Sequence, residues 1–329
     1  MEGGLKSCEG KLAHLGIQAP ARSSLSYANA HRPWQLFEQV FHGLFGIVSA
    51  KALGKKKFRF KNKLVSLDST VIDLCLSMYD WAKFRRTKGA VKLHLVLDHD
   101  GYLPCFGLIT DGKVHDVKAA HQMTFSPGTV VVDDRGYNDY GLFAKWTQAG
   151  VYFVTRMKSN ALHEVVAEHE PPQNRGILKD QTIRLTAAAA KDKCPHLLRR
   201  IEAVRADTAE TLVFLTNHPK LGASTVAAIY KDRWQIELFF KALKQNLKIK
   251  TFVGTSANAV KTQIWTALIS MLLLRYVQLS SRSGWSLSNL VALLRMNLFT
   301  HRDLMHWLNE PFATPPDPQD DPQTSLAWS

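Results

Sequence analysis

The sequence predicts an α/β fold in which helices flank a mixed sheet, with a β-rich insertion interrupting the order of elements. Short apolar segments of strand length alternate with helix-like segments between residues 63 and 156. Residues 156–215 then hold only strand-like segments, and a long amphipathic helix follows them. With 329 residues, of which 46% are hydrophobic, the chain is long enough to bury the core of such a fold.

The N-terminal residues 1–60 have a mostly helical apolar pattern. They lead into a basic segment, residues 51–63, which contains seven Lys or Arg and no acidic residue. This segment either contacts phosphate groups or is a solvated charged loop, and the sequence supports both interpretations equally.

The first predicted strand, KLVSLDST, is expected to end at Asp68. AVKLHLVLD and YLPCFGLIT follow as strands, and the turn residues between them favour an antiparallel meander. VHDVKAAHQM predicts a helix, GTVVVDD predicts a strand with two aspartates at its end, YGLFAKWTQAG predicts a helix, and VYFVTR predicts a strand. The expected order is therefore β-β-β-α-β-α-β.

The insertion, residues 156–215, contains the strand-like segments QTIRLT, LRRIEAVR and TLVFLTN. A single helix is then predicted over STVAAIYKDRWQIELFFKALKQNLKIK, and residues 256–310 form a further helical region. Residues 311–329 contain five prolines and no basic residue, which predicts a disordered tail.

The chain carries 42 Lys and Arg against 28 Asp and Glu, and its net charge of +14 favours a polyanionic partner. The four cysteines, Cys8, Cys75, Cys105 and Cys194, form no C-x-x-C pair, which argues against a disulfide framework or a zinc ribbon. The longest apolar run, residues 264–274, is shorter than the ~20 residues that span a bilayer. We therefore expect a cytoplasmic protein without a membrane partner, and a buried helix at this run.

The predicted long helix has two faces. Ile236, Phe239, Phe240 and Leu243 mark its apolar face, and the opposite stripe consists of Tyr230, Arg233, Glu237, Lys241, Lys244 and Lys248. One interpretation is a solvated face on which Glu237 forms i,i+4 pairs worth ~0.2 to 0.5 kcal/mol each. The other is a functional site, which requires further carboxylates because hard divalent cations need several oxygen ligands.

Asp68 and Asp134 follow predicted strands and supply such carboxylates. Each of them alone is readily explained as a turn or cap residue. Together with Glu237 on a helix packed against the sheet, they would form a cluster able to bind two cations about 3.5 to 4 Å apart.

The spacing Y-x2-R-x3-E-x6-K, met by Tyr230, Arg233, Glu237 and Lys244, resembles the signature of DDE transposases of the insertion-sequence-four family. Three longer segments are similar to the same family, namely LDSTVIDLCLSMYDWAKFRRTKGAVKLHLVLDHDG, DDRGYNDY and RWQIELFFKALKQNLKIKTFVGTSANAVKTQIW. The resemblance covers about residues 5–310. In that family the second catalytic aspartate stands immediately before a triplet such as R-G-Y, which selects Asp134 here.

The resemblance implies a ribonuclease H-like catalytic core over residues 61–155 and 216–255, with Asp68, Asp134 and Glu237 as both catalytic residues and metal ligands. The implied cofactor is a pair of Mg2+ ions, with Mn2+ as a substitute. The implied reaction is cleavage of DNA at insertion-sequence ends and strand transfer into target DNA. The implied partner is double-stranded DNA, bound by a homodimer in the nucleoid of a bacterial cell.

Fold alone does not fix function, since nucleases and recombinases share this core.

DNA contacts are expected from two groups of residues. The first group lies on the late helix and consists of Tyr230, Arg233, Lys241 and Lys244. The second group follows the first strand, where a solvated hairpin is the alternative, and consists of Arg85, Arg86, Lys88 and Lys92.

Members of this family commonly begin with a larger helical domain, and residues 5–50 resemble only its last part. We therefore expect residues 1–60 to be the remnant of an N-terminal helical DNA-binding region. The alternative function is a shortened, inactive DNA-binding remnant or an inhibitor of a full-length transposase. A cellular nuclease on the same core is a third possibility.

Overall fold

The computed structural model describes residues 16, 18–75, 77–85, 88–173, 175–205, 208–246, 252–297 and 303–311. Within these residues, ten strands form one mixed sheet with helices packed on both faces. The predicted α/β class is confirmed. The predicted disordered tail lies, apart from its first residue, outside the described residues.

The strands are numbered in chain order. They are β1 Leu64–Leu74, β2 Lys83–Arg85, β3 Lys88–Asp98, β4 Leu103–Asp111, β5 Val130–Val132, β6 Tyr152–Arg156, β7 His163–His169, β8 Ile177–Leu185, β9 Leu198–Val204 and β10 Thr211–Thr216.

The α-helices of the described residues are numbered in the same way. They are α1 Arg22–His31, α2 Gln35–Ala52, α3 Asp116–Gln122, α4 Tyr140–Gln148, α5 Ala188–Lys193, α6 Ala223–Asp232, α7 Trp234–Asn246, α8 Ala257–Ser280, α9 Leu287–Asn297 and α10 Leu304–Asn309.

The order of strands in the sheet is β2-β3-β1-β5-β6-β10-β9-β8-β7, and β4 also pairs with β3. Strands β1, β3 and β4 are antiparallel neighbours, which confirms the predicted meander, and β2 is an additional short strand. Strands β5 and β6 continue the sheet parallel to β1. Three antiparallel strands followed by two parallel ones are the ribonuclease H-like arrangement that was expected.

The strands of the predicted insertion extend this same sheet, because β10 pairs with β6 and is followed by β9, β8 and β7. Strand β7 was not predicted. Its side chains are mostly exposed, so its sequence HEVVAEH lacks the apolar alternation of a half-buried strand.

Two apolar layers hold the helices to the sheet. On one face, Phe41 of α2, Leu243 of α7 and Trp265 of α8 pack against β3, and on the other face Phe143 of α4 packs on β6. Helix α8 is the one described helix long and apolar enough to cross a membrane, but half of its most apolar stretch is buried inside the protein. This agrees with the predicted buried helix.

The basic segment 51–63 binds acidic residues of the chain itself. Lys57 pairs with Asp232, Lys63 pairs with Asp98, and Lys56 lies 3.8 Å from Asp100. These three lysines therefore neutralise carboxylates at the end of β3 and of α6, a role that neither sequence interpretation included.

Candidate active site

Asp68 lies in the interior of β1 and not at a strand end, because β1 continues to Leu74. The predicted end of the strand was wrong, since pairing with β3 supports β1 along its whole length. The parallel neighbour β5, however, pairs only with residues 64–66 of β1. Asp68 therefore lies just beyond the part of β1 that is covered on both edges, which leaves room for chemistry beside it.

Asp134 follows the end of β5, as expected from the sequence. Its side chain accepts a hydrogen bond from the backbone N–H of Gly136 and caps a short 3-10 helix, Arg135–Tyr137. The neighbouring Asp133 is fully buried, and neither of its carboxylate oxygens has a hydrogen-bond partner among the described residues. Asp134 is thus the more accessible of the two aspartates.

The predicted long helix is broken at Arg233 into α6 and α7, so the single-helix prediction was wrong. The backbone N–H of Ile236 bonds to the carbonyl of Arg233, three residues back, which is the tighter 3-10 pattern. The predicted apolar face is confirmed for Ile236, Phe239, Phe240 and Leu243, which are all buried. Lys248 lies outside the described residues.

Arg233, at the break, joins Asp68 and Glu237. Its Nη2 lies 2.8 Å from Glu237 Oε1, and its Nη1 lies 3.5 Å from Asp68 Oδ2. The side chains of Arg233, Asp68 and Glu237 are 13%, 18% and 33% exposed. The i,i+4 pair between Arg233 and Glu237 that is expected for a solvated helix face is therefore present. Arg233 also contacts Asp68 on the sheet, which a solvated face would not include.

Burial raises the pKa of Asp68 to about 6, and the charges of Asp134 and Glu237 act in the same direction. The N–H of Ser69 and the guanidinium of Arg233 oppose this shift without cancelling it. Burial also raises the pKa of Asp133 well above its usual range. The three predicted carboxylates therefore lie within electrostatic range of one another.

A cavity of about 510 Å³ opens beside Asp68 and Glu237. Lys241 and Lys244 of α7 also line it, together with Ser69 and Thr70 of β1. Lys241 is exposed, whereas Lys244 donates a hydrogen bond of 3.0 Å from Nζ to the carbonyl of Val71. The cavity thus combines two carboxylates with two cationic side chains, a set suited to a phosphate-bearing ligand and an oxygen-bound cation.

This donor set fits Mg2+ in its chemistry, because Mg2+ prefers carboxylate oxygens. The partly compensated carboxylate of Asp68, with its raised pKa, is the observation that favours the fit. In the described part of the chain, no three acidic, His or Cys side chains are grouped closely enough to form a complete site by themselves. Further oxygen ligands would come from DNA phosphate and water.

The other predicted DNA-contacting residues are placed differently. Tyr230 is on α6, where its ring lies 5.0 Å from Phe214 and 5.6 Å from the guanidinium of Arg233. Lys92 Nζ is 3.1 Å from Asp116 and 2.9 Å from the carbonyl of Val114, so it would have to leave both partners to reach DNA.

The remaining members of the second group cannot be placed as side chains. Arg85 ends β2 and Lys88 begins β3, and only the backbone of these two residues is described. Arg86 lies outside the described residues.

Sequence reasoning missed Asp232 and His99, which are both buried next to this site and hydrogen bonded to each other at 2.8 Å. Asp232 precedes the recognised Arg233, but a polar residue at a helix position carries no pattern that predicts burial. His99 is 133 residues away in sequence, and only the folded sheet brings the two together.

Comparisons with known proteins agree with this geometry. Residues 59–273 match the family model described as the transposase DDE domain. The protein of Sinorhizobium fredii named as transposase y4zB is 34% identical over 87% of this chain and 80% of its own length. The transposase named for insertion sequence element IS5377 of Geobacillus stearothermophilus is 29% identical over 71% of this chain and 62% of its own length.

A further relative, named as the transposase for insertion sequence element IS4SA of Synechocystis, is 25% identical over 88% of this chain and 81% of its own length. The family match covers most of the chain and includes all three predicted carboxylates. The chain therefore belongs to the family of DDE transposases, and within it to the insertion-sequence-four type.

Proposed function

We propose that this transposase cleaves DNA at the ends of an insertion sequence and joins the freed 3′ ends to target DNA. Asp68, Asp134 and Glu237 are the proposed catalytic residues and metal ligands. The observation that carries the proposal is Asp68, a half-buried carboxylate with a raised pKa that shares Arg233 with Glu237 beside a lysine-lined cavity. Such an incompletely compensated carboxylate in a cleft is typical of a functional site.

The proposed cofactor is a pair of Mg2+ ions, for which Mn2+ substitutes. When bound, the ions supply the Lewis acidity that activates the attacking oxygen and stabilises the leaving 3′ oxygen. The chain supplies the carboxylates from three elements, β1, the segment after β5 and α7. Because a strand, the capped turn that follows β5 and a packed helix hold them, the ligands are ordered before the substrate arrives.

The chain's cationic residues position the DNA. Arg233 is proposed to hold the phosphate beside the scissile bond. Lys241 and Lys244, which line the cavity, are proposed to hold the next phosphates along the strand. These contacts orient the duplex without reading its sequence. Tyr230 supports Arg233, because its ring packs between Phe214 and the guanidinium. Burial raises the pKa of Tyr230, so its phenol stays protonated at neutral pH.

Double-stranded DNA is the proposed partner, at both the element ends and the target. Arg85, Arg86, Lys88 and Lys92 are retained as a second proposed contact surface, and Lys92 would exchange Asp116 for phosphate. We propose a homodimer on DNA, because two element ends have to be cut and joined together. A cytoplasmic, nucleoid-associated location in a bacterial cell follows from that partner.

The test is incubation of the purified chain with DNA that carries candidate element ends, with Mg2+, with Mn2+ and with EDTA. Nicking at the ends and joining to a target plasmid are expected only with a divalent cation. Binding without any cutting would support the inactive remnant, and cutting without preference for the ends would support a nuclease.

A further inference from the structure

A chain of buried hydrogen bonds lies behind the candidate active site. Ser66 Oγ is 2.7 Å from His99 Nε2, and His99 Nδ1 is 2.8 Å from Asp232 Oδ2. Ser66, His99 and Asp232 are 0%, 3% and 3% exposed. Lys57 Nζ and the hydroxyl of Tyr102 also donate to Asp232, so this carboxylate has donors on both oxygens.

The chemistry of the carboxylate fixes the direction of one of these bonds. A carboxylate only accepts, so a proton of the imidazole lies on Nδ1 and points to Asp232. When the ring carries only this proton, Nε2 accepts the hydroxyl proton of Ser66. The order Ser-His-Asp is also that of a nucleophilic triad. Since the Ser66 side chain is completely buried, no substrate reaches it, and the three residues are structural in their own position.

Each end of this chain is next to a residue of the active site. Ser66 and Asp68 are two residues apart on β1, and they therefore point to the same face, about 7 Å from each other. Asp232 directly precedes Arg233, which contacts Asp68 and Glu237. The hydrogen bonds thus connect the strand that carries Asp68 to the break between the helix that ends at Asp232 and the helix that carries Glu237.

We propose that Ser66, His99 and Asp232 form a positioning network that fixes the separation of Asp68 and Glu237. Apolar packing also holds α7 on the sheet, but apolar contacts have no preferred direction, whereas hydrogen bonds of 2.7 and 2.8 Å fix distance and angle. Burial alone would raise the pKa of Asp232, but the hydrogen bonds from His99, Lys57 and Tyr102 lower it and orient the carboxylate.

The inference rests on the proposed function, because it assigns the network a purpose at the proposed metal ligands. It predicts that loss of the network weakens metal binding more than it weakens the fold. Outer-shell hydrogen-bond partners of metal ligands typically contribute about 10- to 100-fold to metal affinity or activity.

The experiment measures Mn2+ binding to the intact chain by titration calorimetry, together with thermal unfolding. Asp232→Asn and His99→Ala are expected to raise the Mn2+ dissociation constant about 10- to 100-fold. Ser66→Ala is the mildest variant and should give a smaller rise. His99→Gln keeps an amide donor for Asp232, so it should retain more affinity than His99→Ala. The Mn2+ binding heat that is lost in Glu237→Gln identifies the part of the signal that comes from the proposed metal site.

Asp180→Asn is the matched control. Asp180 is also a buried carboxylate on the sheet, but it lies on β8 and pairs with Arg199 of β9. It should lower the melting temperature while leaving the Mn2+ affinity unchanged. Equal Mn2+ affinity in wild type, Asp232→Asn and His99→Ala would overturn the inference, and so would an equal loss of affinity in Asp180→Asn.

Nicking of end-bearing DNA is measured in parallel, which separates the two proposals. Network-dependent Mn2+ binding without nicking would support the network and refute the proposed reaction. Nicking by the wild-type chain, together with unchanged Mn2+ affinity in the network variants, would support the proposed reaction and refute the network. Absence of any Glu237-dependent Mn2+ binding would overturn both.

Discussion

Asp180 and Asp68 are carboxylates on strands of the same sheet, and their surroundings differ. The side chain of Asp180 on β8 is 4% exposed and accepts hydrogen bonds from both Nε and Nη2 of Arg199. The side chain of Asp68 on β1 is 18% exposed, accepts the N–H of Ser69 at 2.7 Å, and has Arg233 at 3.5 Å. Asp180 thus belongs to a complete ion pair, and Asp68 does not.

Under the proposed function, this difference separates a structural carboxylate from a catalytic one. The two-pronged contact of Arg199 compensates Asp180 within the protein and fixes β8 against β9. Asp68 shares Arg233 with Glu237, and its pKa is raised to about 6. If Asp68 is the proposed metal ligand, its incompletely compensated charge lowers the stability of the metal-free protein, and a bound cation would compensate it.

The largest expected effect is the loss of catalysis. Asp68→Asn, Asp134→Asn and Glu237→Gln should each reduce Mg2+-dependent nicking by at least about 10³-fold, because each replaces a proposed carboxylate ligand by an amide and leaves the side-chain volume nearly unchanged. Gel analysis of nicked end-bearing DNA measures the effect, and circular dichroism checks the fold.

Asp133→Asn is the matched control for the aspartates. Burial raises the pKa of Asp133 well above its usual range, which favours the uncharged carboxyl that an amide resembles closely in shape. This variant should nick at nearly the wild-type rate. If Asp133→Asn is inactive and Asp134→Asn is active, the ligand after β5 is Asp133, and the choice made from the R-G-Y triplet is refuted.

The next effect is on stability, with opposite signs for the two aspartates. Asp180→Asn should lower the free energy of unfolding by about 3 to 5 kcal/mol, because Arg199 is left buried without a counter-charge. In EDTA at pH 7.5, Asp68→Asn should raise it by about 1 to 3 kcal/mol. The folded pKa of Asp68 lies above its unfolded value, so its ionisation opposes folding at this pH. Urea unfolding measures both, and a destabilised Asp68→Asn would remove the contrast.

The sequence predicts the order of strands and helices along residues 63–156, because apolar alternation and short apolar runs mark segments with a buried face. Glu237 could be placed opposite the apolar side of its helix for the same reason, since Ile236 and Leu243 follow the helical period. Strand β7 has no buried face, so the alternation that reveals the other strands is missing from it.

Three features of the site depend on contacts distant in sequence and could not be predicted from local pattern. Residues 223–246 have a helical pattern throughout, and the break at Arg233 accompanies contacts of Asp232 with His99 and of Arg233 with Asp68. Asp68 was placed at a strand end because its polarity interrupts the apolar run, although pairing with Leu95 continues the strand. The Ser66 to His99 contact requires the register that pairs Val65 with Asp98.

His94, like Asp68, is a titratable side chain whose hydrogen bonds within the described residues are incomplete, and it is fully buried. Its Nε2 lies 2.9 Å from Thr110 Oγ1, while Nδ1 has no hydrogen-bond partner in the part of the chain that the structure describes and is 3.5 Å from Asp116. Burial lowers the pKa of His94 to about 4, against the opposing charge of Asp116. Between pH 4 and about 6.5 the unfolded chain therefore binds the extra proton, and stability falls as the pH is lowered through this range.

His94→Gln should remove this component, which amounts to at most about 3 kcal/mol between pH 7 and pH 4. Urea unfolding at several pH values measures it. His115→Gln, at an exposed histidine, is the control and should keep the wild-type pH profile. Identical profiles for all three proteins would show that His94 is readily protonated in the folded state.

The smallest effect concerns DNA affinity. Lys241 is exposed at the cavity, and Lys179 is an exposed lysine of β8 that lies 3.7 Å from Glu202. Lys241→Ala should lower the salt dependence of binding by about 0.9 in the slope of log K against log salt, equally for element-end and random DNA. Lys179→Ala should leave the slope unchanged, because its charge is already paired within the insertion. Fluorescence anisotropy at several salt concentrations measures both slopes. If both variants kept the wild-type slope, the DNA would lie away from Lys241. The lysines of the cavity would then only balance the charge of the carboxylates.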